Sequence, residues 1–160
     1  MVDAVRIPVI AAGGIADGRG LVAALALGAS GILMGTRFIA TRESMAVEMY
    51  KKALLENSGN ATTLTDAFSG RYARLLRNEF SRRYAKSSAP VLPFLWQASA
   101  AKDIYDRATA EGNPDYFPMY AGQSVGLIHN LPGAAEVVES VVREARQLLT
   151  ERLPQTVKLA

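Results

Sequence analysis

Residues 6–36 read RIPVIAAGGIADGRGLVAALALGASGILMGT, two short apolar runs that each end in glycine. Arg6 to Ala12 is a short apolar run with β-branched residues closed by a glycine pair, the pattern of a parallel strand buried on both faces. Gly13 to Gly18 is a turn in which Asp17 is a candidate N-cap. The helix it opens carries its apolar face on Leu21, Val22, Ala24 and Leu25 and stops at Gly28. Gly31 to Gly35 is a second apolar strand, ended by Gly35-Thr36. Strand, helix and strand within about 30 residues is the span of a right-handed βαβ unit, so the fold class is α/β.

Both strands end in glycine at their C-terminal tips, Ala12-Gly13-Gly14 in the first and Met34-Gly35-Thr36 in the second. In a parallel sheet such tips leave on one side. Backbone N–H groups that no side chain shields then converge on an anion, and a phosphate is held without a lysine. Thr36 adds a hydroxyl. A glycine pair after one strand is most often a tight turn and nothing more. Its recurrence about 21 residues later is what points to a phosphate-bearing ligand, because the loops after strands seven and eight of (β/α)8 barrels build such a site.

Downstream the pattern turns helical. Met45, Ala46, Met49, Ala53 and Leu54 fall at helical spacing between Glu43 and Asn57, with Glu43 near the helix N-terminus. Thr62 to Leu76 mixes β-formers with a Ser69-Gly70 turn signal and reads as a short hairpin. Gln97 to Glu111 reads as a helix ended by Gly112-Asn113-Pro114, and Ala121 to Ile128 as a short one. Pro132 suits the first turn of a long closing helix with Ala134, Val138, Val141, Ala145 and Leu148 on one stripe, ended by Leu153-Pro154.

The 160 residues hold 18 Lys plus Arg against 15 Asp plus Glu, one His and no Cys. Without cysteine there is no thiolate nucleophile and no Cys-based metal site, and no metal-ligand spacing occurs elsewhere. No run reaches the roughly 20 apolar residues of a membrane span. The start lacks the pattern of a signal peptide, so cytoplasmic residence is the default expectation. His129 reads as a surface or capping residue rather than a base. Tyr116, Phe117, Met119 and Tyr120 read as loop packing sooner than as a pocket wall. The basic run Arg71, Arg74, Arg77, Arg82, Arg83 and Lys86 reads as a solvated or subunit-contacting face. Nucleic-acid binding through the interleaved Tyr72, Phe80 and Tyr84 is the weaker reading, so no nucleic-acid partner is expected.

The segment IPVIAAGGIADGRGLVAALALGASGILMGTRFIATRES resembles the last two βα units of the nitronate monooxygenase family, once called 2-nitropropane dioxygenases. SGRYARLLRNEF and YFPMYAGQSVGLIHNLPGAAEVVESVV are similar to that family's C-terminal insertion, Ala-Gly-Gln segment and closing helix. The resemblance implies an FMN-dependent (β/α)8 TIM barrel that oxidises a nitronate or nitroalkane with O2 to a carbonyl compound and nitrite. It implies that Gly13, Gly14, Met34, Gly35 and Thr36 hold the FMN phosphate and that Gln123 lies near the flavin.

A closed barrel needs eight strands and about 250 residues, so the chain reads as a C-terminal half. It is expected to be a single partial domain, 1–160, with the last two barrel strands in 5–40 and a mostly helical C-terminal segment in 41–160. The family's catalytic histidine is expected upstream, which leaves no catalytic residue here. A two-stranded parallel piece is expected to be unstable or to associate, either as a homo-oligomer or with a complementing N-terminal half. The same strand segments look much like those of flavin-dependent enoyl-ACP reductases, the rival enzyme. A non-catalytic half-barrel that binds a phosphate ligand is the rival outside enzymes.

Overall fold

In a computed structural model, which describes residues 1–157, the chain divides into two compact units. The first joins Met1–Ser44 to the stretch from Asn130 onward, and the second is Met45–His129.

In the first unit, β1 (Ile10–Ala12) pairs in parallel with β2 (Gly31–Leu33), Ile10 opposite Gly31 and Ala12 opposite Leu33. Helix α1 (Gly18–Ala26) connects them, giving the βαβ order that the spacing predicts. Asp17 caps α1, its carboxylate accepting from the Arg19 and Gly20 amides. At the far end Gly28, at φ +88°, lets the chain leave in a left-handed turn. The expectation of strands buried on both faces fails: Ile10 is 54% and Leu33 60% exposed. The two strands form a two-stranded sheet among the described residues, with no further strands there to stand across from these side chains.

A one-turn helix, α2 (Thr36–Ile39), follows β2. The closing helix α7 (Ala134–Gln147) packs on α1 through Val137, Val141 and Ala145, all buried. Val138, expected on that stripe, is 50% exposed, since the stripe runs one residue earlier at Val137. Pro132 lies just before the N-cap Gly133 rather than inside the first turn. Glu43 does not start a helix of its own; its carboxylate accepts the Ala134 N–H at 2.9 Å and so caps α7. Nor does Pro154 end the helical run. The missing N–H is accommodated by a π-type turn, Leu148–Arg152, before a last turn α8 (Leu153–Thr156).

The second unit begins with α3 (Glu48–Glu56), which starts later than the periodicity predicts because Met45 is fully exposed. Strands β3 (Thr62–Thr65) and β4 (Ala73–Leu76) form an antiparallel hairpin with Ser69-Gly70 in the connection. The segment around Tyr120 bridges to Leu75 on the other side of β4. Helix α4 (Glu79–Lys86) is opened by a reciprocal Asn78/Ser81 capping box. The helix predicted over 97–111 is two, α5 (Trp96–Ala100) and α6 (Lys102–Glu111), hinged at Ala101. Residues 121–128 make a 3-10 turn, Gln123–Leu127, not an α-helix. Phe68, Ala67 and Leu75 form the core, with Phe80, Tyr84 and Tyr105 packed around them.

The Asp17 cap has a testable pH signature. Burial pushes its carboxyl up, but the Arg19 guanidinium and the Gly20 and Arg19 amides outweigh this and hold it below the usual carboxylate range. A depressed carboxyl adds stability above its unfolded pKa and loses it as pH falls through the folded one. Asp17→Ala therefore costs about 1 kcal/mol at neutral pH. In urea melts across an acid series, the gap between variant and wild type closes as the carboxyl protonates.

Candidate functional site

Because β1 and β2 are parallel and in register to their last residues, Ala12 opposite Leu33, their chains leave the sheet side by side. Neighbouring strands lie about 4.8 Å apart, so the two chains leave the sheet as immediate neighbours. Gly13 and Gly14 take φ of +90° and +73°, a backbone that residues with a Cβ adopt at a cost. Gly35 sits at φ −97°, where any residue fits. At all three positions a Cβ would meet nothing within 4 Å. They are exposed, while Met34 and Thr36 are half-buried beside them.

The first amides of α1 are already used. Gly18 N–H donates to Glu144 Oε2 at 3.0 Å, and Arg19 and Gly20 donate to Asp17. An anion at this corner is left to the glycine turns themselves and not to the helix terminus.

One residue without a role in the sequence expectations follows the second turn in the chain. Arg37, in α2, is only 6% exposed. Its guanidinium donates to the Ala40 carbonyl at 2.7 Å, and to the Asn130 carbonyl and side-chain oxygen at 2.8 and 3.2 Å. Its Nε is buried without a partner, and no carboxylate pairs with it among the described residues. Burial pushes its pKa down, the mark of a charge held where charge is disfavoured. Arg37 is thus a buried cation without a carboxylate partner, two residues along the chain from Gly35, with its hydrogen bonds running to Ala40 and Asn130. The signal available in the sequence was an arginine set in the apolar run Phe38-Ile39-Ala40.

Gln123 belongs to the second unit, where it is exposed at the head of the 3-10 turn. Two contacts fix its backbone. A Cβ on Gly59 would lie 2.7 Å from the Gln123 carbonyl oxygen, so only glycine permits that approach. Upstream, the Tyr50 hydroxyl donates to the Tyr120 carbonyl, and burial raises the Tyr50 pKa. Around them, Met119 is buried, Phe117 meets Tyr50 edge-on at 6.2 Å, and Asn78 donates to the Pro114 and Phe117 carbonyls. The aromatic segment is therefore packed loop. His129 is exposed and makes no hydrogen bond among the described residues. No helix among those residues is long and apolar enough to cross a membrane.

A family model described as nitronate monooxygenase matches residues 1–144. The nitronate monooxygenase of Pseudomonas aeruginosa is 43% identical over 141 residues, covering 88% of this chain and 40% of that protein. Among solved structures, the nitroalkane oxidase of Streptomyces ansochromogenes is 34% identical with a TM-score of 0.84, over 92% of this chain and 42% of that one. FabK of Thermotoga maritima is 36% identical with a TM-score of 0.81, over 98% and 49%. The chain spans about 40–42% of the length of the curated relatives it matches.

Proposed function

The chain belongs to the nitronate monooxygenase family, and from that premise we propose that it forms the FMN-phosphate-binding part of an oxidoreductase converting nitronates or nitroalkanes and O2 to a carbonyl compound and nitrite. The observation that carries this reading is the pair of open glycine exits on adjoining parallel strands, backed by the uncompensated Arg37. In it, Gly13, Gly14, Gly35 and Thr36 bind the phosphate through main-chain amides and the Thr36 hydroxyl, with Met34 lining the approach. Arg37 supplies a fixed positive field without touching solvent. Gln123, pinned by Gly59, is assigned to the flavin side. When bound, the flavin supplies electron transfer from the nitronate to dioxygen, and the protein's share is to place it and exclude side reactions. No residue of this chain is assigned as the base that a neutral nitroalkane needs, since exposed His129 has no hydrogen-bond network to orient it.

The same reading makes the two βα units the last two of a (β/α)8 barrel. The bare apolar side chains of Ile7, Ile10 and Leu33, 72, 54 and 60% exposed, support it, being the surface that further strands would cover. A complementing N-terminal half or a second copy is the proposed source.

Gly35→Ala tests the phosphate grip. The backbone there tolerates a Cβ and no neighbour resists it, so thermal stability stays at the wild-type value. The methyl fills the space assigned to phosphate, and FMN affinity, read by flavin fluorescence quenching, falls by about tenfold or more. Unchanged affinity would remove this corner as the cofactor site. Oxygen uptake with a nitronate, against NADH oxidation with an enoyl thioester, separates the proposed activity from enoyl-ACP reduction, which the same grip would serve.

A further inference from the structure

Cations in the second unit are mostly matched by an acid on the same helix. Lys102 pairs with Asp106, Arg107 with Glu111 and Arg83 with Glu79. Arg71 instead stacks on the Phe94 ring and Arg74 donates to the Thr62 hydroxyl. Between β3 and α4, Arg77, Arg82, Lys86, Thr63, Thr65 and Ser81 line one cavity of about 250 Å³. Arg82 is shared with Glu79 at 3.0 Å and Asp115 at 3.8 Å. Arg77 and Lys86 have no carboxylate within ion-pair reach among the described residues, and the Thr63 hydroxyl has no partner there. The Ser81 hydroxyl is spent on Asn78, and the Thr65 oxygen accepts from Ala67. Two unneutralised cations and a free hydroxyl, carried by a strand, a turn and a helix, therefore face one small space.

We propose that this cavity binds a small phosphate-bearing ligand, with the phosphoryl group held between Arg77 and Lys86 and accepting from Thr63. A guanidinium fork, a point charge and a hydroxyl arriving from three elements suit a tetrahedral oxyanion, which offers acceptors on every side, better than a planar carboxylate. The volume is below the usual range for drug-sized ligands, which fits a small metabolite and not a dinucleotide. Nucleic acid fits less well, because two of the three aromatics that interleave the basic run, Phe80 and Tyr84, pack on the core and only Tyr72 is exposed. Phe80 lies 4.7 Å from Phe68 and 6.0 Å from Tyr84, leaving no row of free rings for bases.

The test is site-resolved. Inorganic pyrophosphate is titrated into the full chain while amide shifts are followed by NMR, with a single-stranded oligonucleotide in a parallel arm. Shifts are expected at Thr63, Leu64, Thr65 and Arg77. The double variant Arg77→Gln/Lys86→Gln, at two exposed positions without partners, is expected to keep the wild-type circular dichroism spectrum and to weaken binding by about tenfold or more. Shifts confined to Gly13, Gly14 and Gly35, unchanged affinity in the double variant, or an oligonucleotide that binds here more tightly than pyrophosphate would each overturn the proposal.

Discussion

Phe68→Ala is expected to destabilise the second unit by about 4 kcal/mol, roughly a thousandfold in its unfolding equilibrium. Phe68 is 1% exposed, with Phe80 and Tyr105 at ring-centroid distances of 4.7 and 5.7 Å and Leu75 fully buried beside it. Removing the ring leaves a void that the hairpin on one side and α4 and α6 on the other cannot close without giving up their own contacts. The Tyr105 hydroxyl also donates to the Phe68 carbonyl, so a shift of the chain here costs a hydrogen bond. Phe68→Leu keeps most of the volume and is expected to cost less than about 1.5 kcal/mol. Urea denaturation followed through the buried tyrosines gives both values, and a cost below 1 kcal/mol for the alanine variant would show that this cluster is not the core.

The second large effect is at Gly18. Helix propensity alone makes Gly→Ala favourable by up to about 1 kcal/mol. Here, however, the new Cβ would lie 2.4 Å from Glu144 Cβ and 2.5 Å from the Ala145 nitrogen, atoms that cannot rotate away. Helices α1 and α7 must separate, loosening Ala24, Val141 and Ala145 and stretching the Gly18 to Glu144 hydrogen bond, at a net cost of about 3 kcal/mol. Gly20→Ala is the control. Its Cβ would meet the Ile15 Cγ2 methyl at 2.8 Å but no backbone atom closer than 3.5 Å, so the variant costs less than Gly18→Ala. Equal denaturation midpoints for the two variants would refute the close α1–α7 packing. Under the proposed phosphate grip, FMN binding is expected to fall with Gly18→Ala as well, since Gly18 follows the Gly13-Gly14 turn at the start of α1.

Features written into short stretches of sequence were legible. Asp17 announces a cap because its side chain bonds its own downstream amides, and Gly13, Gly14, Gly28 and Gly112 mark left-handed turns because only glycine enters them freely. What failed to show depends on distant partners. Glu43 caps a helix 91 residues away, and no local pattern distinguishes that from capping the next helix. The choice between Val137 and Val138 for the buried stripe is a rotation of about 100°, fixed by α1 and not by the helix itself. Arg37 shows in the sequence only as an arginine in an apolar run, and its burial depends on Asn130, 93 residues on. The glycine turns were readable as turns; what they hold is a matter of chemistry outside the chain.

The order in which the chain is made adds a consequence. The unit Met45–His129 is continuous and can fold as it leaves the ribosome, whereas Gly18 must wait for Glu144, 126 residues later. At about 5–20 residues per second, the nascent βαβ corner stays without its covering helix for on the order of 10 s. Its apolar surface lies open to solvent during that interval. Lesions in the closing helix should then lower the yield of protein in the cell far more than the turnover of the molecules that survive.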